Sequence, residues 1–145
     1  MGISVGGKKL AISPSIFSNA GVIIDSGTVI TRVPPTAYAA LRTAFRKLMS
    51  KYPTSPAASI LDTCYDLSKY DTVSIPTVAL QYQGANMDLD VTGILYVVST
   101  TQACLAFAPN SDDTDVMIIG NTQQRRFNIL YDVSKKVIGF GPKGC

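Results

Sequence analysis

The sequence contains no histidine, and this single absence excludes several classes of enzyme. Hydrolases of the Ser-His-Asp and Cys-His types lose their general base, and histidine-rich zinc sites lose their ligands. The three cysteines, Cys64, Cys104 and Cys145, lack the paired C-x-x-C spacing of a structural zinc site. Carboxylate chemistry is what remains for catalysis, and we expect neither a metal nor a cofactor.

Long apolar runs and a strong charge imbalance are also missing. No run approaches the roughly 18 residues of a membrane-spanning helix, so we expect no membrane partner. Residues 1–4 lack the basic start and continuous apolar segment of a signal peptide, so the targeting segment of a secreted protein would lie outside this chain. The 13 basic and 10 acidic residues give a formal charge of +3, too small an excess to require nucleic acid.

The composition indicates a β-rich globular domain. Hydrophobic residues make up 46% of the sequence and charged residues 16%. The length of 145 residues is sufficient for a single domain, 1–145, with its own core. Residues 36–50 carry apolar side chains at spacings of three and four, so we predict a mostly β fold with one main helix there, capped by Thr36. The other face of this helix is basic and is expected to face solvent: Arg42, Arg46, Lys47 and Lys51.

The short apolar runs predict two hairpins and a meander. The hairpins are expected to pair 3–5 with 10–12, across a Gly/Lys turn at 6–9, and 127–132 with 136–140. Consecutive short strands with tight turns indicate an antiparallel meander built from 78–82, 87–91, 94–98 and 102–107.

One carboxylate, Asp25, lies between two apolar runs, Val22–Ile24 and Val29–Val33. Burying a lone carboxylate is costly, so its position between two buried strands suggests a use. Ser26 and Gly27 supply a short polar side chain and a residue that can adopt a positive φ, so the chain can turn tightly here. We predict that Asp25 lies at a loop tip and is an acid/base group whose oxygens accept bonds from backbone N–H groups.

The other acidic residues lack this setting. Five aspartates have neither the glycine turn nor the apolar flanks and are interpreted as surface or turn acids: Asp62, Asp66, Asp88, Asp90 and Asp132. The acidic loop 110–115 lacks the glycine and terminal glutamate of an EF-hand, which favours a simple loop over a Ca²⁺ site.

Cys64 and Cys104 are both flanked by strand-like sequence. A disulfide between them would close a loop of about 40 residues and stabilise the fold by about 4 kcal/mol in the chain-entropy model. Such a bond would imply an oxidising compartment. Two buried free thiols in a reduced protein are the alternative.

Several segments together carry a resemblance to a known family. They are Ile23-Ile24-Asp25-Ser26-Gly27-Thr28, Leu61-Asp62-Thr63-Cys64-Tyr65-Asp66, Cys104-Leu105-Ala106-Phe107, Ile118-Ile119-Gly120-Asn121 and Val137-Ile138-Gly139-Phe140. In this order they resemble the C-terminal lobe of plant pepsin-like aspartic proteases, of the nepenthesin and chloroplast-nucleoid types. The resemblance covers nearly all of the chain.

This resemblance implies the fold of one pepsin-like lobe, in which Asp25 is one of two catalytic carboxylates. Its active-site loop would comprise Ser26, Gly27 and Thr28. In the family, two apolar residues and a glycine pass close to that loop and complete a ψ-shaped arrangement. Here the two apolar residues are Ile118 and Ile119, and the glycine is Gly120.

The resemblance also bears on the cysteines and on the missing half of the site. It implies a disulfide between Cys64 and Cys104. In the family the terminal cysteine bonds the other lobe, so Cys145 is expected to be unpaired in this chain or available for a disulfide between lobes or copies. The second aspartate is needed because two close carboxylates share one proton and polarise a water. In the family it comes from an N-terminal lobe, which also carries the flap over the substrate. We therefore expect this chain to be an excised domain or a separately expressed half.

Three functions follow as hypotheses. The favoured one is an aspartic endopeptidase lobe that acts on peptides at acid pH once paired with its N-terminal lobe, and is inactive alone. The others are a half-protease that pairs with a second copy of itself, and a non-catalytic binding module that is similar to glycosidase inhibitors or is associated with DNA. The intact Asp25 motif favours the protease, and the low charge disfavours DNA. The expected location is the secretory pathway, as an extracellular, apoplastic or vacuolar protein, with the chloroplast as the alternative.

Overall fold

The computed structural model describes residues 1–144, and strands dominate it. Its helical segments are Ser15–Ser18 (α1), Pro35–Leu48 (α2), Val91–Ile94 (α3) and Asn121–Gln124 (α4). Its strands are Gly2–Val5 (β1), Lys8–Lys9 (β2), Val22–Ile24 (β3), Thr31–Val33 (β4), Thr54–Ser55 (β5), Cys64–Asp66 (β6), Val78–Tyr82 (β7), Ala85–Asp88 (β8), Leu95–Val97 (β9), Gln102–Leu105 (β10), Phe107–Pro109 (β11), Met117–Ile119 (β12), Phe127–Asp132 (β13) and Val137–Pro142 (β14). The predicted mostly β class with one main helix is confirmed. Over residues 1–144, no helix is both long and apolar enough to cross a membrane.

The strands form three four-stranded sheets and one two-stranded ribbon in the described part of the chain. Their strand orders are β2-β1-β7-β8, β5-β6-β10-β9, β11-β4-β12-β3, and β13-β14 for the ribbon. The third sheet is mixed, because β12 pairs in parallel with β3 and antiparallel with β4. This sheet positions the Asp25 loop, since the loop connects β3 to β4 across the intervening strand β12.

The two predicted hairpins are present, but the first has a different second strand. Gly6 and Gly7 adopt φ of +57° and +78° and form a two-residue turn, so Val5 pairs with Lys8 and β2 covers Lys8–Lys9. The prediction of a strand at 10–12 was wrong, because the tight turn places the ladder directly after the glycines. The second hairpin pairs β13 with β14 as predicted.

The predicted single meander over residues 78–107 was wrong. β7 and β8 extend the sheet of β1, whereas β9 and β10 belong to the sheet of β6. The chain changes sheets at α3, where the Asp90 carboxylate accepts bonds from the N–H and hydroxyl groups of Thr92 and so caps a helical turn. A residue interpreted as a turn acid thus redirects the chain, and its bonds to Thr92 lower its pKa.

Helix α2 packs its apolar face into the main core, and its N-terminus is capped from a distant loop. The buried residues of this face are Ala37, Tyr38, Leu41 and Phe45. Thr36 is not the N-cap, because Pro34 occupies that position and Pro35 begins the helix. The Thr36 N–H instead donates to the Asp113 carboxylate at 2.9 Å, and the Thr36 hydroxyl donates to the same group.

The basic face of α2 is partly bound rather than fully solvated. Arg42 donates to the Asp62 carboxylate at 2.6 Å, which also accepts bonds from the hydroxyls of Tyr38 and Thr63. Burial alone would raise the pKa of Asp62, but these bonds outweigh it and hold the pKa below its usual value. Asp62 therefore ties α2 to the segment before Cys64, which corrects its interpretation as a plain surface or turn acid.

The Asp113 cap gives a test of this packing. Replacing Asp113 with alanine leaves two donors of the first helical turn unpaired, and we expect the free energy of unfolding to fall by about 1 kcal/mol. Urea unfolding measures the difference. Asp71→Ala is the matched control, since Asp71 is an exposed aspartate and the charge change is the same. Equal stabilities of the two variants would contradict the capping role.

Candidate active site

The turn after β3 holds the Asp25 carboxylate by both of its oxygens. The Gly27 N–H donates to Oδ1 at 2.8 Å, and the Thr28 hydroxyl donates to Oδ2 at 2.7 Å. The Thr28 N–H also bonds back to the Asp25 carbonyl at 3.3 Å, which closes the turn. The carboxylate is therefore fixed at the tip of the loop by the residues that follow it.

Gly27 leaves space here for the Asp25 carboxylate and does not adopt a left-handed backbone. Its φ lies outside the positive region, contrary to the expectation from the sequence. A Cβ at this position would lie 3.1 Å from Asp25 Oδ1, a tighter contact than side chains normally make. Any larger residue would therefore push the carboxylate away from the Gly27 N–H.

The flanks of the loop are less buried than predicted. β3 is the edge strand of its sheet, and Ile23 is 48% exposed. Val29 is 46% exposed and precedes β4, which begins only at Thr31. The Asp25 loop thus lies at the surface of the lobe, where another body can reach it.

Ile119 and Gly120 lie against this loop. The Asp25 N–H donates to the Ile119 carbonyl at 3.0 Å, and the Asn121 N–H donates to the Thr28 carbonyl at 2.7 Å. A Cβ on Gly120 would lie 2.8 Å from the carbonyl oxygens of Thr28 and Val29, so only glycine fits without displacing the backbone. The structure therefore brings together the residues that the sequence assigned to the catalytic loop and its support.

Two amide side chains that the sequence analysis did not assign to the site also hold it. Asn121 Nδ2 donates to the Ser26 carbonyl at 3.1 Å, and Gln124 Nε2 donates to the Ile119 carbonyl at 2.9 Å. The available signal was the run of amides directly after Gly120. Its meaning depends on the crossing of β12 between β3 and β4, which no local pattern reveals.

The bonds to Asp25 set its electrostatic state. The Thr28 hydroxyl and then the Gly27 N–H stabilise the charged form and hold the pKa of Asp25 below its usual value. The carboxylate is therefore ionised in the lobe alone, even under mildly acidic conditions. A second carboxylate brought close to it would oppose this effect and force the pair to share a proton.

Two cavities adjoin the loop and the residues that follow it. One of about 390 Å³ is mostly apolar and includes Val29, Ile30 and Tyr96 in its lining. The other, of about 530 Å³, includes Thr28 and Arg32. In the described range, residues 1–144, no group of three or more Cys, His, Asp or Glu side chains could hold a metal ion.

The disulfide between Cys64 and Cys104 that the family resemblance implied is present. Cys64 on β6 and Cys104 on β10 form a disulfide between directly paired strand positions. Both sulfurs belong to a small cluster of buried residues that also includes Ile30, which follows the Asp25 loop. Cys145 lies outside the described residues, and its bond to another lobe stays a prediction.

This arrangement of a mostly β lobe, an Asp-Ser-Gly-Thr turn and a crossing strand that ends in glycine defines one lobe of the pepsin-like aspartic protease fold. The crystal structure of edgp has the same fold, with a TM-score of 0.85 over 98% of this chain and 38% of that chain, at 17% sequence identity. The chain belongs to the family described as xylanase inhibitor C-terminal, whose model matches residues 1–142.

Its plant relatives are named as proteases. An aspartyl protease family protein of Arabidopsis thaliana is 54% identical over 99% of this chain and 30% of its own length. Aspartyl protease AED1, also of Arabidopsis thaliana, is 47% identical over 100% of the chain and 31% of its own length. Aspartic proteinase nepenthesin-2 of Nepenthes gracilis is 34% identical over 99% of the chain and 34% of its own length. The chain therefore spans about a third of the length of these relatives. It corresponds to the C-terminal lobe of a plant pepsin-like aspartic protease.

The hydroxyl of Thr28 gives a test of the site's electrostatics. Thr28→Val removes the largest stabilising contact of the Asp25 carboxylate, so we expect the pKa of Asp25 to rise toward 3.8. Thr28→Ser keeps the hydroxyl and should keep the low pKa. Because the folded pKa is depressed, the stability that it contributes is present above about pH 4 and is lost as the pH falls through the folded pKa.

Carbon-detected NMR titration of the Asp25 carboxyl in the three proteins makes this measurement. Valine and serine variants with the same Asp25 pKa as the parent would show that the Thr28 bond does not set the titration.

Proposed function

We propose that this lobe supplies Asp25 as one of the two catalytic carboxylates of an aspartic endopeptidase that hydrolyses peptide bonds at acid pH. The observation that carries the proposal is the half-buried Asp25 carboxylate, fixed at a loop tip at the surface by Gly27 and Thr28. A pure binding module has no need of an ionised carboxylate held in this way. The names of the relatives and the intact Asp-Ser-Gly-Thr motif support the same assignment.

The chemistry needs a second carboxylate within hydrogen-bond reach of Asp25. Two like charges at that distance cannot both ionise, so the pair shares one proton and holds a water between the carboxylates. The ionised member takes a proton from the water, which attacks the scissile carbonyl, while the protonated member donates to the carbonyl oxygen. The turn bonds of Asp25 favour its charged form, which suits it to the role of the base in the free enzyme.

Other aspartates of this lobe are engaged elsewhere. Asp62 is bound by Arg42, and Asp90 caps α3. Asp132 accepts bonds from Ser134 and Lys135. Since the sequence also holds a single Asp-Ser-Gly-Thr motif, we assign the second catalytic carboxylate to a different body, in first place the N-terminal lobe of the same protease.

An apolar surface on this chain fits such a partner lobe. The ribbon of β13 and β14 leaves large apolar side chains exposed: Leu130, Tyr131, Val133, Val137 and Ile138. Between the ribbon and edge strand β3 lies a groove of about 620 Å³. A cluster of exposed apolar side chains beside a groove is typical of an interaction site. Since the relatives are about three times as long as this chain, the N-terminal portion of such a protein is the proposed occupant.

The disulfide bears on location. Stable disulfides form in oxidising compartments, so the bond between Cys64 and Cys104 supports the secretory pathway as the place where this protein folds.

The catalytic assignment is tested by Asp25→Asn in a two-lobe protein. A suitable one joins the N-terminal portion of the 54% identical Arabidopsis relative to this chain. Asparagine keeps the shape but cannot accept a proton, so we expect hydrolysis of a peptide at pH 3 to 5 to fall by about a hundred- to ten-thousandfold. Asp71→Asn is the matched control and should retain activity.

Full activity of Asp25→Asn would overturn the assignment. If the parent two-lobe protein is inactive but binds a xylanase, the inhibitor-like function that the family description suggests would replace it.

A second test uses this chain alone. A monomer has one carboxylate and no opposing cleft wall, so we expect no proteolysis from it. If two copies pair through the apolar surface, two Asp25 side chains can meet, and the rate should rise as the square of chain concentration at low concentration. Peptidase assays over a dilution series, with light scattering on the same samples, measure this. Cleavage that is first order in a purely monomeric sample would contradict the assignment of a single catalytic group to this lobe.

A further inference from the structure

Two polar residues, Thr31 and Gln123, are fully buried beneath the Asp25 loop, each with 0% exposure. Thr31 is the first residue of β4, and Gln123 lies on α4. They touch each other, because the Thr31 hydroxyl donates to Gln123 Oε1. A buried hydroxyl and a buried amide in an apolar core are costly unless every donor and acceptor is satisfied.

The amide of Gln123 is satisfied by three different segments. Its Nε2 donates to the Gly93 carbonyl on α3 and to the Ala106 carbonyl after β10, each at 2.8 Å. Its Oε1 takes the Thr31 hydroxyl. One side chain thus joins α4 to α3, to the end of the disulfide-bonded strand β10, and to β4.

Thr31 also binds Gly120, which lies against the Asp25 loop. The Gly120 N–H donates to Thr31 Oγ1 at 2.8 Å, so the hydroxyl accepts from Gly120 while it donates to Gln123. The residues on both sides of Gly120 bind the loop, since Ile119 accepts from the Asp25 N–H and Asn121 donates to the Thr28 carbonyl. A continuous chain of bonds therefore runs from Gln123 through Thr31 and Gly120 to the loop.

We propose that Thr31 and Gln123 are positioning residues that hold Gly120 in place and thereby fix the orientation of the Asp25 carboxylate. The proposal rests on the proposed function of Asp25, because position matters only if Asp25 reacts. Position 120 must be glycine, since any Cβ would collide with the Thr28 and Val29 carbonyls, so no side chain at this position can anchor the backbone. The buried Thr31 hydroxyl instead binds the Gly120 N–H and holds the backbone in place. Valine has the shape of threonine, so the polar residue serves the bond and not the packing volume.

The test compares Thr31→Val, which removes the hydroxyl at nearly constant volume, with Thr31→Ser, which keeps it. Gln123→Met is a second disrupting variant of similar length. Asp113→Ala removes the bonds to Thr36 at the N-terminus of α2, outside the Thr31–Gln123 connection, and controls for general loss of stability. The readouts are amide hydrogen exchange by NMR and the titration midpoint of the Asp25 carboxyl, all in this chain.

We expect Thr31→Val and Gln123→Met to speed exchange at the amides of Asp25, Gly120 and Asn121 by about tenfold more than at Leu80 in β7. The titration midpoint of Asp25 should move toward that of an unperturbed aspartate, because the carboxylate is no longer aligned with the Gly27 N–H and the Thr28 hydroxyl. Thr31→Ser and Asp113→Ala should leave both readouts at parent values. If all four variants share the parent midpoint and exchange pattern, the positioning role is overturned.

A measurement on the parent chain covers the case in which the disrupting variants do not fold. The Gln123 side-chain amide protons should be protected from exchange to the same degree as the Asp25 and Gly120 backbone amides. Faster exchange of the Gln123 amide by more than about tenfold would show that the connection opens independently of the loop, and would also overturn the proposal. Neither experiment uses peptide hydrolysis, so a failure of the catalytic assignment is distinguishable from a failure of the positioning role.

Discussion

The contact between Gly120 and the Asp25 loop is the constraint on which the rest of this structure depends. Backbone carbonyls of the loop come so close that any Cβ on Gly120 would meet them at 2.8 Å. Because the glycine permits this approach, β12 can end directly beside the loop, and the backbone groups of its neighbours bind Asp25 and Thr28. The mixed sheet, the loop and the buried polar residues below it are arranged around this one crossing.

The same crossing leaves the carboxylate of Asp25 at the surface, where, under the proposed function, it is one of the two carboxylates that the reaction needs. Its own turn stabilises the charged form, whereas acid/base work by a carboxylate pair needs one proton shared between two groups. The apolar ribbon and the edge strand β3 lie on the same lobe and leave a groove open. The site and the apolar groove therefore both support the proposal that a second body completes the protein.

The features that could be predicted from the sequence are those with local causes. Helical spacing identified α2, the short apolar runs identified the last hairpin, and Ser26 and Gly27 identified the Asp25 turn. The errors arose where distant residues decide the structure. Asp113 caps a helix 77 positions earlier in the chain, and Asp62 is bound from α2. Thr31 lies in an apolar run, and its role becomes visible only when β12 and α4 are packed against it.

The central claim is that Asp25 is one half of a carboxylate pair, and its titration in two states tests this most directly. NMR would follow the Asp25 carboxyl in this chain alone and in the two-lobe protein. The account predicts a single low midpoint in the lobe alone, and in the paired protein two coupled steps, one of them clearly raised, because the two groups share a proton. An Asp25 titration that is the same in both proteins would contradict the account.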